Sequence, residues 1–431
     1  MVSQLNLKPN TYVMLHTKKG DFECRLLESP REDIILVKLN SGYNVGIREE
    51  EILGVKVIDE RLEKEKPKAV KLDKSLPNIA LIATGGTISS KLDYKTGAVK
   101  WLTDPAELLS VYPELLNIAN VVKIENPFMK ASENMEFSDW KELADAAGKL
   151  LNDPKIDGVI ITHGTDFLHY SAAALSFMLH NLNKPVVLTY SQRSSDRASS
   201  DAALNLQCAA RAAVSDIAEV MLVGHANPED EYCYALLGSK VRKMHTSRRD
   251  TFRPVNTLPL AKIYPDKIEK ISQCNLRDNR KKVEVKSDFN NKVALVKFYP
   301  GQDPEILEHY FEIGYKGVVV ETSGLGHVLT GEAKNNWLPK LKKLINSGFI
   351  VCAVPQTIYG RLDPLVYSLG RETEKTGVIY LRDMLPEAAF VKLGWVLGQV
   401  KNKDPKKVKE MMLTNYAKEF NDRLTQEEFL N

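Results

Sequence analysis

At 431 residues the chain is too long for one ordinary hydrophobic core, and its length suggests roughly two to four domains. With 43% hydrophobic and 27% charged residues it has a globular composition; no apolar run approaches the ~20 residues of a membrane span, and the N-terminus lacks a secretory-signal pattern. A net charge of +3 neither demands nor excludes a nucleic-acid partner. The five cysteines (Cys24, Cys208, Cys233, Cys274, Cys352) lack C-x-x-C spacing and read as reduced thiols in the cytoplasm, with no zinc site or disulfide framework.

Residues 1–58 differ from the rest of the chain. Tyr12, Met14 and His16 alternate with polar neighbours, as do Phe22, Cys24 and Leu26, and turns fall at Lys19-Gly20-Asp21 and Asn40-Ser41-Gly42. Five short strands at roughly 8–12-residue spacing predict a small, SH3-like β-barrel, either a binding module or a structural appendage. Residues 59–77, charged and containing Pro67 and Pro77, are expected to be a linker.

From Asn78 onward strands and helical patterns alternate, the mark of parallel α/β units. The run 79–83 is wholly apolar, as a strand buried on both faces requires, and ends in Thr84-Gly85-Gly86-Thr87-Ile88. Glycines there let the chain turn sharply and a ligand approach the backbone. A polar loop, 89–100, comes next with Tyr94 and Gly97, then a helix near 105–116 and a second helix capped by Ser138. The run 158–162 repeats the plan and ends in His163-Gly164-Thr165-Asp166-Phe167. An N-terminal α/β domain is expected over 78–267, an interdomain linker over 268–289, and a smaller C-terminal α/β domain over 290–431.

The two glycine-threonine stretches, each following a strand, resemble the signatures T-G-G-T-I and H-G-T-D-T of the type-I L-asparaginase/glutaminase family; only Phe167 departs. The resemblance implies two α/β domains with the site at their junction, and amide hydrolysis through threonine. By position Thr87 matches the nucleophile, and Thr165 and Asp166 match the second threonine and its acidic neighbour. Lys243, eight residues before Thr251-Phe252, matches the family lysine that acts in proton transfer. By charge alone that lysine reads as part of a solvated basic face, since Lys240, Arg242, His245, Arg248 and Arg249 surround it.

For substrate binding the resemblance implies Tyr94, through Tyr-x-x-Gly, and Ser132 in Lys130-Ala131-Ser132-Glu133-Asn134, together with the backbone at Gly86 and Gly164. Glu133 stands where asparaginases commonly have Gln, so a less familiar pocket is expected. The family glutamate contributed by a neighbouring subunit falls, by spacing from Lys375-x-Gly377, on Gly370. No metal ligands are expected.

The extra N-terminal module, the stretch Ser194-Ser195-Asp196-Arg197-Ala198-Ser199-Ser200-Asp201-Ala202-Ala203, and the stretch Met384-Leu385-Pro386-Glu387 resemble one branch of that family, the D subunits of the archaeal glutamyl-tRNA(Gln) amidotransferases. That likeness implies a glutaminase that frees ammonia for a partner, the amidotransferase E subunit. The partner would use ATP and Mg to convert Glu-tRNA(Gln) to Gln-tRNA(Gln), and would contact the tRNA in the main. No cofactor is expected in this chain, and its assembly would be a homodimer within a heterotetramer, away from membranes. A stand-alone cytoplasmic L-asparaginase is the alternative in the same chemistry. A catalytically silent scaffold is the alternative of another class, and the full set of Thr87, Thr165, Asp166 and Lys243 argues against it.

Overall fold

The computed structural model describes residues 7–9, 11–29, 31, 33–41, 43–59, 72–86, 88, 90–92, 99–101, 112–194, 197, 199–401 and 404–429. The first five strands are β1 (Tyr12–Thr17), β2 (Gly20–Leu26), β3 (Ile34–Leu39), β4 (Asn44–Arg48) and β5 (Ile52–Asp59), in the antiparallel order β4-β3-β2-β1-β5. Alternation puts Val13, Leu15, Cys24, Leu26, Val37 and Ile47 on one face, where they form a small core. The barrel expected from strand spacing is instead an open sheet, because among the described residues its edges, β4 and β5, do not pair. A single turn, Glu49–Glu51, carries the chain from β4 to the far side of β1, where β5 pairs with two register shifts.

The next strand, β6 (Asn78–Ala83), leads into a short hairpin of β7 (Ser90–Leu92) and β8 (Val99–Trp101), then β9 (Asn120–Glu125). Tyr94 and Gly97 of the expected loop lie outside the described residues, as does most of the helix expected near 105–116. Helix α1 (Phe137–Leu151) begins one residue before Ser138, with Glu136 at its N-cap. Then come β10 (Gly158–Thr162), α2 (Leu168–Met178), β11 (Leu179–His180), β12 (Val186–Thr189), α3 (Ala202–Ala213) and β13 (Val220–His225). Five strands run parallel in the order β9-β6-β10-β12-β13. The two motif strands, β6 and β10, are therefore central neighbours, and both turn out of the sheet at its carboxyl edge, where open α/β sheets take ligands.

Four short strands that alternation does not reveal extend this region: β14 (Cys233–Leu237), β15 (Val241–Lys243), β16 (Phe252–Pro254) and β17 (Ala261–Ile263). With β18 (Ile268–Lys270), strands β14 and β17 complete an eight-stranded sheet, while β15 and β16 form a separate hairpin. Part of the segment expected to join the lobes is thus ordered on the N-terminal one, and β19 (Glu284–Val285) pairs with β11. The C-terminal lobe contains β20 (Val293–Lys297), α4 (Glu305–Glu312), β21 (Gly317–Thr322), α5 (Leu338–Asn346), β22 (Ile350–Pro355), α6 (Ser368–Glu374), β23 (Ile379–Tyr380), α7 (Pro386–Gln399) and α8 (Pro405–Leu413). Its four strands are parallel, in order β20-β21-β22-β23.

One continuous core joins the lobes. Helix α2, which follows the second motif, lies along α7, with His169 and Glu387 3.9 Å apart near their starts and Phe177 stacked on Trp395 at 6.0 Å two turns later. Ala172, Leu175, Val391 and Trp395 are buried in that seam. Among the described residues no helix is long and apolar enough to cross a membrane.

Candidate active site

The two motifs meet through their backbones. Gly86 has φ +80°, and a Cβ there would lie 2.7 Å from the carbonyl of His163 and the nitrogen of Gly164. Only glycine allows that approach. Thr84 donates its hydroxyl to Thr162 O at 2.9 Å, and its carbonyl accepts Lys130 N–H at 3.0 Å. Thr87 itself lies outside the described residues. Its neighbour Ile88 is fully buried, with its carbonyl bonded to Tyr112 Oη–H at 3.2 Å.

The 130s loop closes on the same point. A Cβ on Gly164 would lie 2.9 Å from Ser132 Oγ, so the buried Ser132 packs directly on the second motif. Glu133 is exposed, and its Oε2 lies 3.5 Å from Ser132 Oγ. Lys130 anchors the loop by ion pairing with Asp139 at 2.7 Å, which raises the pKa of its ammonium group; Asp139 also accepts the Glu136 N–H at the start of α1.

Behind the second motif a relay fixes its carbonyl. His163 is fully buried, and desolvation pushes its imidazole down to about 4, so the ring is neutral at pH 7. Its Nδ1 lies 2.7 Å from Gly164 O, which can only accept, so Nδ1 carries the proton. Nε2 then accepts from Ser171 Oγ at 2.9 Å, and Ser171 in turn accepts the Trp140 indole N–H at 3.0 Å. Sequence reasoning missed Ser171 and Trp140, because their partners come from another helix.

Lys243 is delivered by the β15–β16 hairpin, in which it stands opposite Phe252. That pairing is the physical content of the spacing to Thr251-Phe252. Phe252 is buried edge-on against Tyr190 at 4.7 Å, and Tyr190 Oη–H donates to Arg249 O at 2.7 Å, so the hairpin is held to the N-terminal lobe. Lys243 Nζ donates to Thr165 Oγ1 at 2.9 Å and to Asp166 Oδ1 at 2.7 Å. The lysine side chain is 10% exposed and the Asp166 side chain 61%, so the amine is shielded while the carboxylate stays open to a ligand.

The surrounding basic stretch is not a solvated face throughout. Lys240 is 1% exposed and pairs with Asp383, itself fully buried, from the C-terminal lobe. Arg242 faces Glu387 at 3.2 Å, and Arg248 and Arg253 hold Asp250. Gly370 packs against Pro364 O and His327. No group of His, Cys, Asp and Glu is placed to hold a metal ion among the described residues.

Thr165, Asp166, Lys243, Ser132, Gly86 and Gly164 therefore converge on the carboxyl edge of β6 and β10. Residues 78–275 match the asparaginase N-terminal family, and residues 292–412 match the glutaminase/asparaginase C-terminal domain. The L-asparaginase from Thermococcus kodakarensis is similar in structure, with TM-score 0.71 and 25% identity over 80% of this chain and all of that one. L-asparaginase I from Vibrio cholerae aligns with TM-score 0.68 and 28% identity over 80% of this chain and 99% of its own. The fold is that of an asparaginase-like amidohydrolase with two α/β lobes.

Residues 7–58 match the GatD N-terminal domain, which the two asparaginase matches do not include. The D subunit of the glutamyl-tRNA(Gln) amidotransferase from Thermococcus kodakarensis is 49% identical over 91% of this chain and 88% of its own length. Proteins of the same name from Pyrococcus furiosus and Archaeoglobus fulgidus are 48% identical (90% and 87% covered) and 44% identical (94% and 94% covered). The chain belongs to the family of glutamyl-tRNA(Gln) amidotransferase D subunits.

Proposed function

We propose that this chain is the glutamine-hydrolysing component of a tRNA-dependent amidotransferase. It would supply ammonia to a partner, the amidotransferase E subunit, that uses ATP and Mg to convert Glu-tRNA(Gln) to Gln-tRNA(Gln). The observation that carries the reading is Lys243, shielded and bonded to both Thr165 and Asp166, in a chain that matches the amidotransferase D subunits over nine-tenths of its length.

The Thr87 hydroxyl attacks the side-chain amide carbon of glutamine, and the amide nitrogen leaves as ammonia with a proton relayed through the enzyme. Water then releases glutamate from the acyl-threonine, so one amide and one water give glutamate and ammonia. Threonine is a poor nucleophile unless a base takes its proton, and Thr165 with Lys243 forms a short path for that transfer. The exposed Asp166 carboxylate is suited to the substrate's α-ammonium group. Ser132, against Gly164, would take the α-carboxylate, with Glu133 at the rim and the backbone of Gly86 and Gly164 lining the approach. Tyr94 would close over the bound amide.

The reading includes a cytoplasmic homodimer within a heterotetramer, no cofactor of its own, and tRNA held mainly by the partner. In it the N-terminal sheet serves docking. Comparing glutamine with asparagine hydrolysis, with and without the E subunit and Glu-tRNA(Gln), tests it. A stand-alone L-asparaginase, the second reading supported by the structural likeness, would favour asparagine and ignore the partner.

A further inference from the structure

Two basic residues beside Lys243, Lys240 and Arg242, are both met by acids from one short stretch of the other lobe, Asp383-Met384-Leu385-Pro386-Glu387. Lys240 pairs with Asp383, and Arg242 Nε lies 3.2 Å from Glu387 Oε1. Asp383 is set by the C-terminal lobe's own backbone, accepting Asn421 N–H at 2.9 Å, while Asn256 bridges Gly360 and the Asp383 carbonyl. Glu387 stands at the start of α7, next to Pro386, which fixes where that helix begins.

Glu387 differs from Asp383 in one respect. Among the described residues its Oε2 is buried without a hydrogen-bond partner, and so is Nδ1 of His169, whose other nitrogen is 3.9 Å from Glu387 Oε1. Burial raises the Glu387 carboxyl above its ordinary value, and the adjacent guanidinium opposes that rise and favours the charged form. A buried carboxylate with an unmatched oxygen costs stability. His169, 3.9 Å from this carboxylate, also feels the charges of Arg242 and Lys243, so an ionised group here has an electrostatic use at the reacting lysine that offsets the cost.

We propose that Glu387 is a positioning residue for Lys243: it anchors β15 across the lobe junction through Arg242, and its charge, set against that of Arg242, sets the field in which the Lys243 amine gains and loses its proton. This rests on the proton-transfer reading of Lys243. The charged and titratable groups around this junction are Asp166 and His163 from the second motif, His169 and Tyr170 from α2, Arg242 on β15, Glu387 from α7 and Glu321 from β21.

The test is glutamine hydrolysis across pH by the full-length chain with the E subunit and Glu-tRNA(Gln) present. Activity that needs a neutral lysine rises with pH on its acid limb. Glu387→Gln removes negative charge and favours the neutral amine, so that limb moves to lower pH by roughly 0.5–1 unit. Arg242→Gln removes positive charge and moves it up by a similar amount, and the double variant returns near the parent. The anchoring role lowers kcat about tenfold in Glu387→Gln, with KM within about twofold. If Glu387→Gln fails to fold, Arg242→Gln against Arg242→Lys supplies the test, because Arg242→Lys keeps the charge and leaves the limb in place. Limbs that coincide in parent, Glu387→Gln and Arg242→Gln overturn the proposal. Loss of turnover in Lys243→Ala with unmoved limbs overturns it alone, whereas near-parental turnover in Lys243→Ala overturns the reading of Lys243 as well.

Discussion

Thr165 and Lys243 make the most exposed claim at the level of single residues, because the proposed proton path runs along their 2.9 Å contact. Thr165→Val and Lys243→Ala should each lower glutamine kcat/KM by about 10²–10⁴-fold while leaving the far-UV circular dichroism unchanged. Thr87→Val should abolish turnover. Lys240 behaves differently from what its neighbourhood in the sequence suggests. Replacing it with Ala leaves Asp383 charged and buried, so Lys240→Ala should cost about 3–5 kcal/mol in denaturant unfolding, far more than an exposed lysine such as Lys270. The buried imidazoles add a pH dependence. His169, like His163, titrates lower in the folded chain, at about 3, so the unfolded chain binds the proton first. Stability is therefore full above about pH 6.5 and falls as pH drops toward the folded value. Unfolding measured at pH 7 and pH 4 should show His169→Leu losing about 3 kcal/mol less than the parent over that interval.

Elements explain which of these residues are legible in the sequence. Strands β6 and β10 announce themselves as continuous apolar runs because both their faces are covered, and the turns after them contain the residues proposed for the site. The hairpin carrying Lys243 has strands of three residues each, too short for a period to emerge, and only its likeness to a known family picks out the lysine. Lys240 reads as a surface charge because its partner lies 143 residues away, and local charge cannot reveal a distant carboxylate. The relay from Trp140 through Ser171 to His163 stays hidden for the same reason. A closed barrel is more than strand spacing supports, since spacing counts strands and does not say whether the edges join. Glycine gives the element-level test. Gly86→Ala would drive a Cβ into the His163–Gly164 backbone and should cut kcat/KM at least about 10²-fold. Gly20→Ala, at φ +126° but with nothing within 4 Å, should cost only roughly 1–3 kcal/mol and spare activity.

For the molecule as a whole, the site is built at a seam. The threonine and aspartate of the second motif lead into α2, which shares a core with α7 of the other lobe, and the residues just before Lys243, Lys240 and Arg242, are held from that same side. A chain that feeds ammonia forward wastes glutamine unless its site idles without the acceptor, and a site braced from across a seam can be switched by whatever tightens the seam. Deleting residues 1–58 should then weaken binding of the partner while leaving the amidohydrolase fold intact, as measured by co-purification and thermal unfolding. Everything proposed for the site turns on hydrolysis serving a tRNA-bound acceptor. The decisive measurement is glutamine turnover by the full-length chain, taken alone and then with the E subunit and Glu-tRNA(Gln). Low turnover alone and at least about tenfold stimulation in the complete complex are expected; full activity in isolation, unchanged by partner and tRNA, would contradict that role.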